Sequence, residues 1–293
     1  MSKKLTIRES FNLGKGWNLM LFAILSMLVT NAGVNDGLNI ALPAIADGAG
    51  LDYELCLSMG TVAGFVGVAM MFVIAKFRDR FGGRKVSAVL FIIFGLTFYF
   101  LFLRATNIFM YGLSQCIMVS CGQGCFYLCT GPMQSDWFPK KRGVVNGIST
   151  IGANIGTAIL APIMTTLLTM AEYKTSLSVF AVAAVILGIF AYLALRDDPM
   201  EAGMYPDNVS KETYEAEYKD FFKKEEYISD WTVSKMLKCK EVWLAAMVPG
   251  FITLGLLGII TQFVPRNVSL GLSQEIAISA MTVAGLVGIV GSY

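Results

Sequence analysis

Long apolar runs alternate with short polar turns along most of this chain. A helix needs about 20 mainly apolar residues to cross a bilayer, and eight runs reach that length. The predicted membrane-spanning helices are Trp17–Leu42, Tyr53–Phe77, Val86–Ala105, Ile108–Gly131, Gly143–Met170, Thr175–Leu195, Val242–Val264 and Gln274–Tyr293. We expect the first run to be a retained helix, because no small-residue cleavage site follows a short apolar region there.

A long polar segment divides the eight runs into two sets. The pattern predicts a six-helix half at 1–196, a linker at 197–240 and the first two helices of a second half at 241–293. The mixed charges of the linker indicate either an amphipathic surface helix or a solvated connection. Transporters built from two six-helix halves follow this layout. We therefore expect a truncated sequence that ends inside its eighth span, with about four more spans to follow.

The composition is typical of a membrane protein. Hydrophobic residues make up 55% of the chain, charged residues make up 15%, and the mean hydropathy is +0.62. Soluble domains carry charge on about a quarter of their residues. Basic residues occur in the loops rather than along one continuous face, so the sequence predicts no nucleic-acid partner.

The positions of Lys and Arg predict which loops face the cytoplasm. Of the 23 Lys and Arg residues, only Arg104, Lys174 and Arg266 fall on one side of the predicted helices. The others flank the amino terminus, the turns after the second and fourth spans, and the linker. Because cytoplasmic loops carry the excess of Lys and Arg, we expect a cytoplasmic amino terminus and an inner (cytoplasmic) membrane location.

Six Cys and no His limit the chemistry that this chain can support. Cys121, Cys125 and Cys129 recur at every fourth residue. This spacing could align thiols for a soft metal, but small polarizable side chains at a helix contact are the favoured explanation. The sequence predicts no metal site and no cofactor. The lack of His, of a Ser/Lys dyad and of a nucleotide-binding glycine loop disfavours an enzyme.

Amide and acidic side chains cluster in the first span. Asn31, Asn35 and Asn39 are four residues apart and share one helix face, while Asp36 lies about 100° around the helix from Asn35. Polar groups at membrane depth are costly and indicate function. We predict that this face lines a substrate pathway; hydrogen bonding between helices without substrate contact is the alternative. Asp36 is the candidate carrier of a coupling proton.

Weaker pathway candidates lie on the fourth and fifth spans. They are Gln123, Tyr127 and Asn154. Each is polar at a position where lipid would penalise it. A helix–helix contact explains each of them equally well.

The turn between the second and third spans, Ala75–Lys85, resembles the signature loop of the major facilitator superfamily, G-x-L-A-D-R-x-G-R-R. The acidic, basic, turn and second basic positions of that signature are occupied by Asp79, Arg80, Gly82 and Arg84. The resemblance implies that Asp79 pairs with the neighbouring fifth span and latches one conformation. A role in membrane topology alone is the alternative.

The segment Ser135–Gly156 resembles the fourth-to-fifth loop of the same superfamily, especially its organic-anion branch. That branch includes the oxalate–formate and monocarboxylate-type carriers. The small residues on the helix that follows are Gly143, Gly147, Gly152 and Gly156. Small faces let membrane helices approach closely. Ala161 and Pro162 stand where the family carries a Gly-Pro pair.

These resemblances cover nearly the whole chain. They imply an all-α membrane protein, a major facilitator-type helical bundle with eight of twelve transmembrane helices present. The implied function is secondary transport of a small organic solute, with a carboxylate favoured, by a monomer in the lipid bilayer. A coupling ion or a counter-substrate is left open. The alternatives are a transporter of a sugar, a drug or a steroid-like acid, and a non-transporting membrane sensor on the same scaffold.

Overall fold

The computed structural model describes residues 11–218 and 232–292, and every regular element in these ranges is helical. The first part of the chain forms α1 (Trp17–Val34), α2 (Asp36–Ala49), α3 (Tyr53–Phe81), α4 (Gly83–Thr97), α5 (Ile108–Gly124), α6 (Gly131–Trp137), α7 (Arg142–Met170) and α8 (Tyr173–Ala194). It continues with α9 (Lys211–Glu217), α10 (Val233–Lys238), α11 (Lys240–Ser269) and α12 (Gln274–Ser292). The predicted all-α fold is confirmed.

Five helical segments in the described ranges are long and apolar enough to cross a membrane. They are Gly14–Ala49, Tyr53–Phe81, Gly83–Phe102, Arg142–Leu160 and Tyr173–Ala194. The predicted fourth span is helical from Ile108 to Trp137, with a π-helical stretch at Cys125–Thr130 between α5 and α6. The total of eight spans stays a prediction.

The chain divides into two compact units, and the predicted domain boundaries stay a prediction. One unit comprises Met1–Val209 and Ala280–Tyr293, and the other comprises Ser210–Ser279. The start of the predicted linker, 197–209, therefore belongs to the unit that holds α1–α8. In the second unit, α9 lies within the predicted linker, of which residues 219–231 lie outside the described residues.

Inside the first unit, glycines allow α4 and α8 to pack with their backbones close together. A Cβ on Gly95 would lie 2.6 Å from the carbonyl oxygen of Ala181, and a Cβ on Gly188 would lie 2.8 Å from that of Ala88. Contact at both ends fixes the two helices along their length. Such close approach is how small residues hold membrane helices together, because lipid gives no hydrophobic drive for association.

A row of buried aromatic rings runs along α4 and the π-helical stretch Phe98–Phe102 that follows it. Phe91, Phe94, Phe98 and Phe102 are all at most 1% exposed. Their successive ring centroids lie 5.9, 6.1 and 5.2 Å apart. The spacing of three to four residues keeps these rings on one helix face. The aromatic row therefore forms part of the buried core that α1–α8 share.

Replacing Gly95 by Ala is expected to lower the apparent melting temperature of the purified protein. The new methyl group would meet the backbone of α8 rather than a flexible side chain, and overpacking of this kind costs about 1–3 kcal/mol. Gly60→Ala on α3 is the matched control, because nothing lies within 4 Å of its Cβ position. Equal melting temperatures for the two variants would contradict the close α4–α8 contact.

Candidate functional site

The first span is not one continuous helix, as the sequence pattern predicts, but breaks in the middle of its polar cluster. Asn35 separates α1 from α2 with a non-helical backbone, φ −116° and ψ −115°. Gly37 permits the break, because a Cβ there would lie 2.6 Å from the carbonyl oxygen of Ala32. Discontinuous membrane helices expose backbone and side-chain polar groups that continuous helices keep satisfied.

Two of the predicted pathway residues contact each other at this break. Asn35 donates a hydrogen bond from Nδ2 to Oδ1 of Asn31, at 2.7 Å. Asn35 N–H bonds Asn31 O at 3.3 Å at the end of α1, and Asn39 N–H bonds Asn35 O at 3.1 Å at the start of α2. We call Asn31, Asn35 and Asn39 the amide cluster; that all three share one face stays a prediction.

The amide cluster lies against α7. Asn31 Nδ2 lies 3.5 Å from the carbonyl oxygen of Ala153, to which it donates. A Cβ on Gly156 would lie 3.3 Å from Asn31 Nδ2. A glycine at 156 thus leaves room for the Asn31 amide. This contact joins the break in the first span to the small-residue face that was predicted on the fifth span.

Asp36 is buried at the first position of α2, with 9% of its surface exposed. A carboxylate is favoured there by the partial positive charge of a helix amino terminus. Asn39, one turn further along α2, is half-buried. The amide cluster with Asp36 thus combines hydrogen-bond donors, acceptors and one acid at a break inside an apolar bundle.

The other predicted pathway residues are placed differently. Asn154 donates from Nδ2 to the carbonyl oxygen of Gly288 on α12, at 3.0 Å, which is a helix–helix contact. Gln123 is half-buried on α5, and Tyr127 is 57% exposed in the π-helical stretch. In the described ranges, neither of these two makes a hydrogen bond to the amide cluster.

The signature loop is arranged around a carboxylate that sequence reasoning missed. Asp197, beyond the end of α8, accepts a hydrogen bond from the backbone N–H of Arg84 at 2.7 Å. Gly82 has a left-handed φ of 85°, and a Cβ there would collide with the Asp197 carboxylate. Asp197 therefore caps the amino terminus of α4, where negative charge is favourable.

The four predicted latch residues have distinct surroundings. Arg84 donates from Nε to the carbonyl oxygen of Tyr192 at 2.8 Å and lies over its ring. Arg80 lies over the ring of Phe81 at 5.3 Å. Asp79 pairs with Arg78 at 3.3 Å, and its side chain is 70% exposed.

A second group of polar residues lies at the same end of the bundle as the signature loop. Lys141 is only 6% exposed and donates from Nζ to the carbonyl oxygens of Asn12 and Asp207, at 3.1 and 3.0 Å. Asn208 bonds Asn12, and Lys15 bonds the carbonyl oxygen of Ala202 at 2.7 Å. These five contact residues, which we call the polar clasp, are Asn12, Lys15, Lys141, Asp207 and Asn208.

The described residues contain no group of three or more His, Cys, Asp or Glu that could hold a metal ion. Cys121, Cys125 and Cys129 are instead buried in the core. Their burial agrees with the packing explanation favoured from the sequence.

Comparison with known proteins agrees with the geometry of the bundle. The family described as Major Facilitator Superfamily matches residues 19–293. A curated protein of Escherichia coli (strain K12), named "Uncharacterized MFS-type transporter YhjX", is 22% identical over 237 residues, which cover 80% of this chain and 54% of the relative. The chain therefore spans about half the length of this curated relative. Since the family match covers the chain from the first span onward, this multi-pass membrane protein belongs to the major facilitator superfamily.

Proposed function

We propose that this protein is a secondary transporter that moves a small organic solute across the inner membrane by alternating access. The observation that carries the proposal is the helix break at Asn35, where the amide cluster and Asp36 lie inside an otherwise apolar bundle. Broken helices that present polar groups near mid-membrane form substrate sites in transporters. The family membership and the transporter name of the relative support the same function.

A carboxylate is the proposed solute class. Asn side chains offer N–H donors that suit carboxylate oxygens, and the segment Ser135–Gly156 resembles the organic-anion branch. The Asn31 amide lies beside Gly156, the last residue of that segment. Asp36 is the proposed carrier of a coupling proton, because it is a buried acid adjoining the amide cluster.

A ligand screen on the purified full-length protein tests this proposal. A ligand that binds only the folded state stabilises it by RT ln(1 + [L]/Kd), about 2.7 kcal/mol at a hundred times Kd. Small mono- and dicarboxylates are expected to raise the melting temperature, and the matching amides are the controls. Stabilisation by sugars or neutral drugs alone would contradict the carboxylate class.

The latch role of Asp79 is part of the proposal. Its carboxylate is exposed and pairs with its neighbour Arg78, so it is available to a partner in another conformation. Asp79→Asn is expected to slow uptake while leaving the melting temperature unchanged. Asp197→Asn should instead lower the free energy of unfolding by about 0.3–1 kcal/mol, and with it the melting temperature, since it removes the negative charge that caps α4. Unchanged uptake kinetics in Asp79→Asn would rule out the latch.

A further inference from the structure

An apolar groove of about 660 Å³ lies between α3, α4 and α5. It extends along α3 from Val66 to Phe81, which is about 22 Å of helix. Its walls are accessible, since Val66, Val89 and Phe77 are 38%, 54% and 52% exposed. The volume falls in the range of about 300–1,000 Å³ that ligand sites occupy.

The groove lacks the polar groups that a transported solute would need. Apart from Lys85, its lining is made of apolar side chains, two Cys and Ser120. The Ser120 hydroxyl donates to the carbonyl oxygen of Cys116 at 2.6 Å, inside its own helix. A small carboxylate would therefore have nothing to orient it along the length of the groove, whereas a hydrocarbon chain fits such walls.

One end of the groove is cationic. Lys85, in the first turn of α4, lines this end. An adjoining hollow shares Val73 and Phe77 with the groove and adds Lys76 and Arg80. Among the described residues, no Asp or Glu lines either space, and the nearby Asp79 pairs with Arg78.

We propose that this groove binds one acyl chain of an anionic phospholipid, with Lys85, Lys76 and Arg80 holding its phosphate. The three cations and the apolar walls match the two ends of such a lipid in charge and polarity. Basic pockets between membrane helices recognise anionic headgroups in this way. The site lies on the side that the charge distribution assigns to the cytoplasm. It is separate from the amide cluster, so the lipid is a bound partner rather than the transported solute.

Native mass spectrometry of the full-length protein in detergent tests the site. Phosphatidylglycerol and phosphatidylcholine with the same acyl chains are added at equal concentration to the wild type, to a Lys76→Gln/Lys85→Gln double variant and to Val89→Trp. We expect the wild type to retain phosphatidylglycerol preferentially. The double variant should lower its bound fraction by at least about fivefold, since each basic residue near an anionic headgroup contributes to binding.

Val89→Trp tests the acyl chain independently of charge. An indole at this exposed position would fill the groove, whereas Val182→Trp makes the same change at an equally exposed site on α8, since both valines are 54% exposed. Loss of lipid in Val89→Trp but not in Val182→Trp supports the proposal. Equal retention of both lipids by the wild type, or full retention by Val89→Trp, would overturn it. Elution of each variant as a monodisperse peak confirms that it is folded.

Discussion

Replacing Asn35 by Leu is expected to abolish solute uptake or to raise the apparent substrate constant at least about tenfold, which corresponds to 1.4 kcal/mol. Asn35 occupies the break between α1 and α2 and donates to Oδ1 of Asn31. Leucine removes this bond and one amide of the proposed site. Because Asn35 is half-buried rather than fully buried, the bundle should still fold. Initial uptake rates over a range of solute concentrations measure the effect.

The control for this variant makes the same change on α7. Asn146→Leu alters an exposed side chain, seven residues before Ala153, and about 10 Å of helix separates the two positions. It should leave the substrate curve unchanged. If Asn35→Leu gives the same dependence of uptake rate on solute concentration as the wild type, the amide cluster does not line the solute pathway and is a helix contact.

Lys141→Met is expected to be the most destabilising substitution at the clasp end of the bundle. The Lys141 ammonium donates to two carbonyl oxygens, on Asn12 and Asp207, and is almost fully buried. Methionine keeps the apolar stem but leaves both carbonyls without this donor, and each such loss costs about 1–3 kcal/mol. The expected result is a large fall in melting temperature, measured on the purified variant.

Lys140→Met serves as the control for the clasp. Lys140 is exposed, and its backbone N–H, which the substitution keeps, bonds Asp207 Oδ2 at 3.0 Å. This variant should melt close to the wild type. If the melting temperature of Lys141→Met also equals that of the wild type, the buried ammonium does not stabilise the fold.

Long apolar helices and a shared face for Asn31 and Asn35 could be predicted because both follow from local periodicity. The spacing of Asn31 and Asn35 was enough to predict that the two side chains share a face, and their hydrogen bond agrees. The break at Asn35 was not predicted, because Gly and Asn are tolerated inside membrane helices. Only the close approach of Gly37 to Ala32 shows why the helix opens there.

Asp197 and Lys141 could not be assigned from periodicity because their partners are distant in sequence. Arg84 and Asp197 are 113 residues apart, and Lys141 and Asn12 are 129 apart. Both contacts rest on short irregular segments. One local signal was available: the Pro206-Asp207-Asn208 run is typical of a turn, and Asp207 and Asn208 do adopt left-handed φ values of 56° and 54°. This run predicts the turn, but it does not predict that Lys141 packs beneath that turn.

The most direct test of the account is uptake of a radiolabelled carboxylate into proteoliposomes that contain the full-length protein. The solute is the one that stabilises the purified protein most strongly in the ligand screen. We expect saturable uptake that exceeds that of protein-free liposomes and is lost in Asn35→Leu. Binding without saturable flux would contradict transport and would indicate a sensor built on the same scaffold.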